Sequence, residues 1–159
     1  MAGGCRGRRL AEAMTSDGHA VRITARSEQS RAAIEASGAE CWIGTPDRLA
    51  TLRGALDSVT ILCWLLGCAS GAEHELEALH SSRLEFFLTQ AIDTTVRGFI
   101  YEARGRGRSG ELAREGQSIV RAVTERNAIP TSFLLADPAD LDAWLADAGA
   151  SVASLLMRA

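Results

Sequence analysis

Apolar positions along this chain recur in two ways, at helical spacing in some stretches and as short continuous runs in others. Over residues 5–16, Gly7, Leu10, Ala11 and Met14 fall on one face of a 3.6-residue period, which predicts an amphipathic helix. The Asp17-Gly18-His19 turn then stops it. Residues 20–25 predict a strand, followed by a helix capped by Ser27 that runs to Ser37 and stops at Gly38. Residues 39–43 predict a short strand. A helix with Thr45 as cap and Pro46 in its first turn follows, burying Leu49, Leu52 and Leu56.

The longest apolar run, residues 59–66, predicts a strand buried on both faces, as in a parallel sheet. A small-residue loop at 67–71 leads into one long helix, 72–92, with Leu76, Leu79, Phe87 and Leu88 inward. Beyond it the pattern predicts a strand at 96–101, a basic flexible loop at 104–110 and a helix at 111–127. A strand at 130–135 and a helix from Pro138 onward, carrying Trp144, complete the series. Strands alternating with helices call for βαβ units. The expected fold is α/β, a three-layer doubly wound Rossmann-like fold with a mainly parallel sheet, formed by residues 1–159 as a single domain. No internal repeat or linker interrupts it.

The strongest local motif is glycine-rich and opens the first helix: Gly3, Gly4, Cys5, Arg6 and Gly7. In the dinucleotide fingerprint G-x-G-x-x-G the second glycine lets backbone approach a pyrophosphate, and the third lets helix and sheet pack closely. Gly4 and Gly7 match those two positions, whereas Ala2 stands at the first. The helix N-terminus supplies N–H groups and a favourable dipole, and Arg6 adds a cation. About twenty positions on, where an acid would bind a ribose 2′-hydroxyl, stand Arg26 and Ser27. A planar guanidinium suits a phosphate, so NADP is expected over the alternative NAD. In the usual fold a strand leads into the glycine turn. Only Met1 and Ala2 precede it here, so the domain is expected to be N-terminally incomplete.

Charge and composition narrow the partners. The formal net charge of −3 gives no reason to expect nucleic-acid binding. No run approaches the roughly 20 apolar residues of a membrane span, and the N-terminus has no apolar signal core, so a cytoplasmic location is expected. All 17 basic residues are arginine. Cys5, Cys41, Cys63 and Cys68 form no C-x-x-C pair, and His74 and His80 lie six apart, off a common helical face. Free thiols, buried or partly buried, are expected in place of a metal site. The expected partners are a nucleotide cofactor and a small molecule, with a homo-oligomer compatible with the pattern.

The chain resembles the extended and atypical short-chain dehydrogenase/reductase superfamily, in the manner of its NAD-dependent epimerase/dehydratase-like and flavin-reductase-like members. The matching segments are Gly-Gly-Cys-Arg-Gly-Arg-Arg-Leu-Ala from residue 3, Val-Arg-Ile-Thr-Ala-Arg, Val-Thr-Ile-Leu-Cys-Trp-Leu-Leu-Gly and Val-Arg-Gly-Phe-Ile-Tyr-Glu-Ala. The resemblance implies that Leu65, Leu66 and Gly67 line the ribose side of the cofactor and that Asp47 lies near the adenine, although a first-turn helix acid explains Asp47 better. The superfamily's Tyr-x-x-x-Lys pair is missing, since there is no lysine and the single tyrosine is Tyr101, on a strand. Tyr101 and Glu102, at a strand's carboxyl end, are candidates for a substrate pocket. The arginines at 104, 106 and 108 form a small anion-attracting patch or a solvated charge run.

Two functions fit these residues. One is a reductase that places NADPH beside an acceptor without a tyrosine–lysine pair. The other is a non-catalytic sensor of nucleotide state. An S-adenosylmethionine-dependent methyltransferase also uses a glycine turn, but it would want an acid where Arg26 stands.

Overall fold

The computed structural model describes residues 4–158. The chain divides into two compact units, Met1–Ala55 and Leu56–Ala159. Its elements alternate throughout, and every ladder between strands is parallel. Strands β1 (Arg22–Ala25) and β2 (Glu40–Ile43) pair in the first unit. Strands β3 (Ile61–Trp64), β4 (Gly98–Glu102) and β5 (Thr131–Leu134) pair in that order in the second. The expected α/β fold with parallel pairing is what the chain adopts.

In the first unit, α1 (Cys5–Ser16) buries Gly7, Leu10, Ala11 and Met14, the face its periodicity predicts. Ala11 joins Ile23, Ala25, Ile34, Ala39 and Cys41 in one core, which draws on β1, β2 and the short helix α2 (Arg31–Glu35). Thr15 fastens the end of α1 to the turn after α2, donating from Oγ1 to the Ser37 carbonyl at 3.2 Å. At Gly38 the backbone is left-handed, φ +80, and a Cβ would press on Thr15.

The helix expected after Pro46 does not form. A tight turn closes from the Arg48 N–H to the Thr45 carbonyl, and short 3₁₀ turns at Leu49–Leu52 and Gly54–Leu56 follow. Thr51 explains this. Its hydroxyl accepts from the Thr45 N–H at 2.9 Å and donates to the Arg48 carbonyl at 2.7 Å, replacing helical bonds with local ones. Leu52 and Leu56 remain buried as the pattern predicts.

In the second unit, residue parity along β4 assigns the layers. Gly98 and Glu102 face α6 (Leu141–Leu156): a Cβ at Gly98 would meet Leu155, and Glu102 bonds Trp144. Tyr101, of opposite parity, faces α3 (Glu73–His80) and α5 (Gly107–Arg126). Strand β5 repeats the scheme, with Ser132 bonded to Ser151 of α6 and Phe133 under the Arg121 guanidinium of α5. Helices therefore cover both faces of the three-stranded sheet, as a parallel sheet requires.

The long helix expected over 72–92 breaks at Ser81 into α3 and α4 (Ser82–Ala91). Ser81 leaves helical geometry (φ −130, ψ −98), and its Oγ bonds back to the Glu77 carbonyl. At this point α5 also comes closest. A Cβ on Gly116 would lie 2.4 Å from the Tyr101 hydroxyl and 2.7 Å from the His80 carbonyl. Gly116→Ala is accordingly expected to lower stability by about 1–3 kcal/mol, read as a lower urea midpoint with an unchanged slope.

Candidate functional site

Each unit carries part of the residue set singled out in the sequence. In the first, Gly3 lies outside the described residues. Gly4 is the residue before α1 and has extended backbone, with no side-chain cap on the helix. The first helical bond runs from the Arg8 N–H to the Gly4 carbonyl, so the N–H groups of Cys5, Arg6 and Gly7 have no acceptor within the helix. No acid stands in that first turn. A Cβ on Gly4 would meet none of the described atoms within 4 Å. A helix start with no side-chain cap and no acid in its first turn has the polarity that suits an anion. Cys5 is exposed, Arg6 half-buried and Gly7 buried.

Arg26 follows the last residue of β1 and is exposed, with its Nη2 3.7 Å from Asp47 Oδ2. Ser27 is exposed beside it, and its side chain makes no capping bond to the 3₁₀ turn at Glu28–Ser30. Asp47 lies in the turn after β2, where its Oδ2 accepts from the Thr45 hydroxyl at 2.9 Å.

In the second unit, Leu65 and Gly67 are buried and Leu66 half-buried at the end of β3. This turn is held from three sides. The Gly67 N–H donates to Glu102 Oε2 at 2.7 Å, the Gly67 carbonyl accepts from the Arg106 N–H, and the Leu66 carbonyl accepts from Ser109 Oγ at 3.0 Å. The approach of the next loop is too close for side chains: a Cβ on Gly105 would sit 1.6 Å from the Gly67 carbonyl oxygen, and one on Gly110 would sit 2.4 Å from Gly105. The segment expected as a flexible basic loop at 104–110 is thus packed. Helix α5 already begins at Gly107, and Ser109 and Gly110 are buried. Its arginines face acids, Arg104 on Asp137 and Arg108 on Glu73, Glu77 and Glu111.

Tyr101 and Glu102, expected at a substrate pocket, are 0% and 1% exposed. Glu102 Oε1 accepts from the Trp144 indole at 2.9 Å while Oε2 takes the Gly67 N–H. The Tyr101 hydroxyl lies 2.9 Å from His80 Nδ1, and His80 Nε2 lies 3.0 Å from Ser109 Oγ. The Ser109 hydroxyl proton points to Leu66, so Nε2–H donates to Ser109. The neutral ring's Nδ1 then accepts from Tyr101. Burial drives the His80 pKa down to about 4, opposed by a backbone bond at Leu66, and keeps the ring neutral. Burial, with the Glu102 charge adding to it, pushes the Tyr101 hydroxyl well above its ordinary value. This hydrogen-bonded series was not read from the sequence, where His80 enters only as a poor metal ligand.

Cys5 and Cys68 are exposed, Cys63 is intermediate and Cys41 is buried. Among the described residues, no cluster could hold a metal ion and no helix is long and apolar enough to cross a membrane.

No family model and no curated protein matches the sequence. Solved structures do match the fold. A short-chain dehydrogenase/reductase superfamily protein from Agrobacterium tumefaciens, with bound NAD, aligns over 82% of this chain and 45% of its own, with TM-score 0.67 and 17% identity. The Citrobacter sp. triphenylmethane reductase complexed with NADP(H) aligns over 83% of this chain and 46% of its own, with TM-score 0.62 and 16% identity. An NADPH-dependent quinone oxidoreductase from Escherichia coli aligns over 83% and 44%, with TM-score 0.54 and 18% identity. The chain therefore shares the Rossmann-like fold of these structures. It spans less than half the length of these structures.

The His80 chain sets a pH dependence. Its folded pKa lies below the unfolded value of about 6.5, so the unfolded state binds more protons between the two. Stability is expected to be full above pH about 6.5 and to fall by up to about 3 kcal/mol as pH drops towards 4. Denaturant titrations across that range check the slope. Tyr101→Phe, which removes the donor to Nδ1, should cost about 1–2 kcal/mol at pH 7.

Proposed function

We propose that this chain binds NAD(P) through the glycine turn of its first unit, prefers the 2′-phosphorylated form, and belongs to the working part of a reductase. The observation that carries the reading is the N-terminus of α1, which has no side-chain cap and no acid in its first turn, with no described atom within 4 Å of a Cβ on Gly4. The solved structures support it as fold neighbours whose own nucleotides are NAD or NADP(H).

The roles of this chain's residues follow from their chemistry. Backbone N–H groups of Cys5, Arg6 and Gly7 would donate to the pyrophosphate, with Arg6 adding charge. Gly3, ahead of the described residues, would complete the turn. Arg26 would offer its fork to the 2′-phosphate and Ser27 its hydroxyl. In the second unit, Leu65, Leu66 and Gly67 form a turn held by Glu102, Ser109 and Arg106. When bound, the nicotinamide supplies the hydride chemistry. Tyr101 supplies no acid–base step in this scheme, because its hydroxyl is buried and bonded to His80. Burial of Tyr101 and Glu102 with internal partners favours the second reading, a sensor that binds nucleotide without turnover.

Calorimetric titration tests the reading. NADPH is expected to bind more tightly than NADH, and Arg26→Ala to weaken NADPH by about tenfold while changing NADH little. Gly4→Val adds atoms where the described structure is open, so the fold should persist while both nucleotides lose affinity. Retained affinity in Gly4→Val would move the phosphate elsewhere. Hydride transfer to a quinone or flavin separates reductase from sensor.

A further inference from the structure

Within the second unit, the connections ahead of β4 and β5 and the segment after α6 line a cavity of about 270 Å³. It lies at the amino ends of the strands, the opposite end of the sheet from the Leu66–Gly67 turn, and is independent of the nucleotide reading. Ile92 and Val96 ahead of β4, with Ile129 and Pro130 ahead of β5, supply apolar walls. Arg97 and Arg158 supply two guanidinium groups, and no acid is among the described residues that line it. The volume falls just under the ~300 Å³ at which pockets for drug-sized ligands begin, so it suits a small molecule.

Arginines near helix ends often serve to bond the last carbonyls. That need is met here without them. At the end of α5 the Val123, Thr124 and Glu125 carbonyls take the N–H groups of Asn127, Ile129 and Ala128, and Val123 also takes Asn127 Nδ2 at 2.7 Å. At the end of α6 the Ala153 and Leu155 carbonyls take the Met157 and Arg158 N–H groups. Among the described residues the Arg158 side chain has no hydrogen bond or ion pair. Arg97 uses only Nη1, on the Thr94 and Val96 carbonyls at 3.0 and 2.9 Å, which fixes the group and leaves Nε and Nη2 as donors. Open guanidinium donors beside an apolar wall match a carboxylate carried on an apolar body. We propose that this cavity binds a small organic carboxylate, with Arg97 and Arg158 on its oxygens and Ile92, Val96, Ile129 and Pro130 against its carbon skeleton. A bound acid ties the connections before β4 and β5 to the end of α6, and so stabilises the second unit by linkage.

Titration of the full chain with benzoate and with hexanoate, followed by chemical shifts of backbone and arginine Nε–H signals, tests this. Saturable shifts in the millimolar range are expected at residues 92–97, 127–130 and 158. Benzamide, which lacks the charge, and sulfate, which lacks the apolar body, should each bind about tenfold more weakly than benzoate. Arg97→Met also removes two carbonyl bonds, so Arg158→Met is the cleaner variant. It is expected to weaken benzoate by about tenfold and to leave the melting temperature without ligand unchanged. Absence of saturable shifts at these residues would overturn the proposal. Benzamide or sulfate binding as tightly as benzoate would do the same, as would full benzoate affinity in Arg158→Met.

Discussion

Glu102 holds the second unit together through one carboxylate. Its two oxygens take the Gly67 N–H at the end of β3 and the Trp144 indole of α6, while its own backbone ends β4. A carboxylate at 1% exposure is expensive to bury, and only such donors make it tolerable. Once Gly67 is drawn in, its carbonyl lies against Gly105, and Gly105 in turn against Gly110. The starting point of α5 and the inward placing of Ser109 follow from that stack. So does the Ser109 bond to Leu66 that sets the His80 tautomer.

The first unit is organised differently. Among the described residues it has two strands, and a two-stranded ladder is marginal without a packed face. Ala11 and Ile34 from the helices supply that face against Ile23, Ala25 and Cys41. The polar features lie at element ends: the N-terminus of α1, Arg26 after β1 and Asp47 after β2. Placing polar groups beyond strand ends lets the core stay dry and the chemistry stay exposed, as ligand sites in α/β folds generally do.

Local pattern was enough for some of this. The buried face of α1 matches its periodicity residue by residue, because a helix face is fixed by spacing alone. The strands appear at the expected places, with ends shifted by a residue or two. What the pattern missed depends on partners distant in sequence. Ser81 breaks a helix where α5 presses in at Gly116, thirty-five positions on. Thr51 diverts the segment after Pro46 by bonding across a turn. Gly105, Gly107 and Gly110 read as flexibility, whereas Gly105 and Gly110 answer a need for close backbone contact that no single segment reveals. Tyr101 and Glu102 read as pocket residues from their place at a strand end, and only the three-dimensional packing turns them inward.

His80 has one more consequence. Its Nε2–H is enclosed beside Ser109 in a ring that is 2% exposed, so that proton is sheltered from exchange with water. In solution it behaves as a built-in gauge. Its persistence in a spectrum reports that the Leu66–Gly67 turn is intact, without label or ligand.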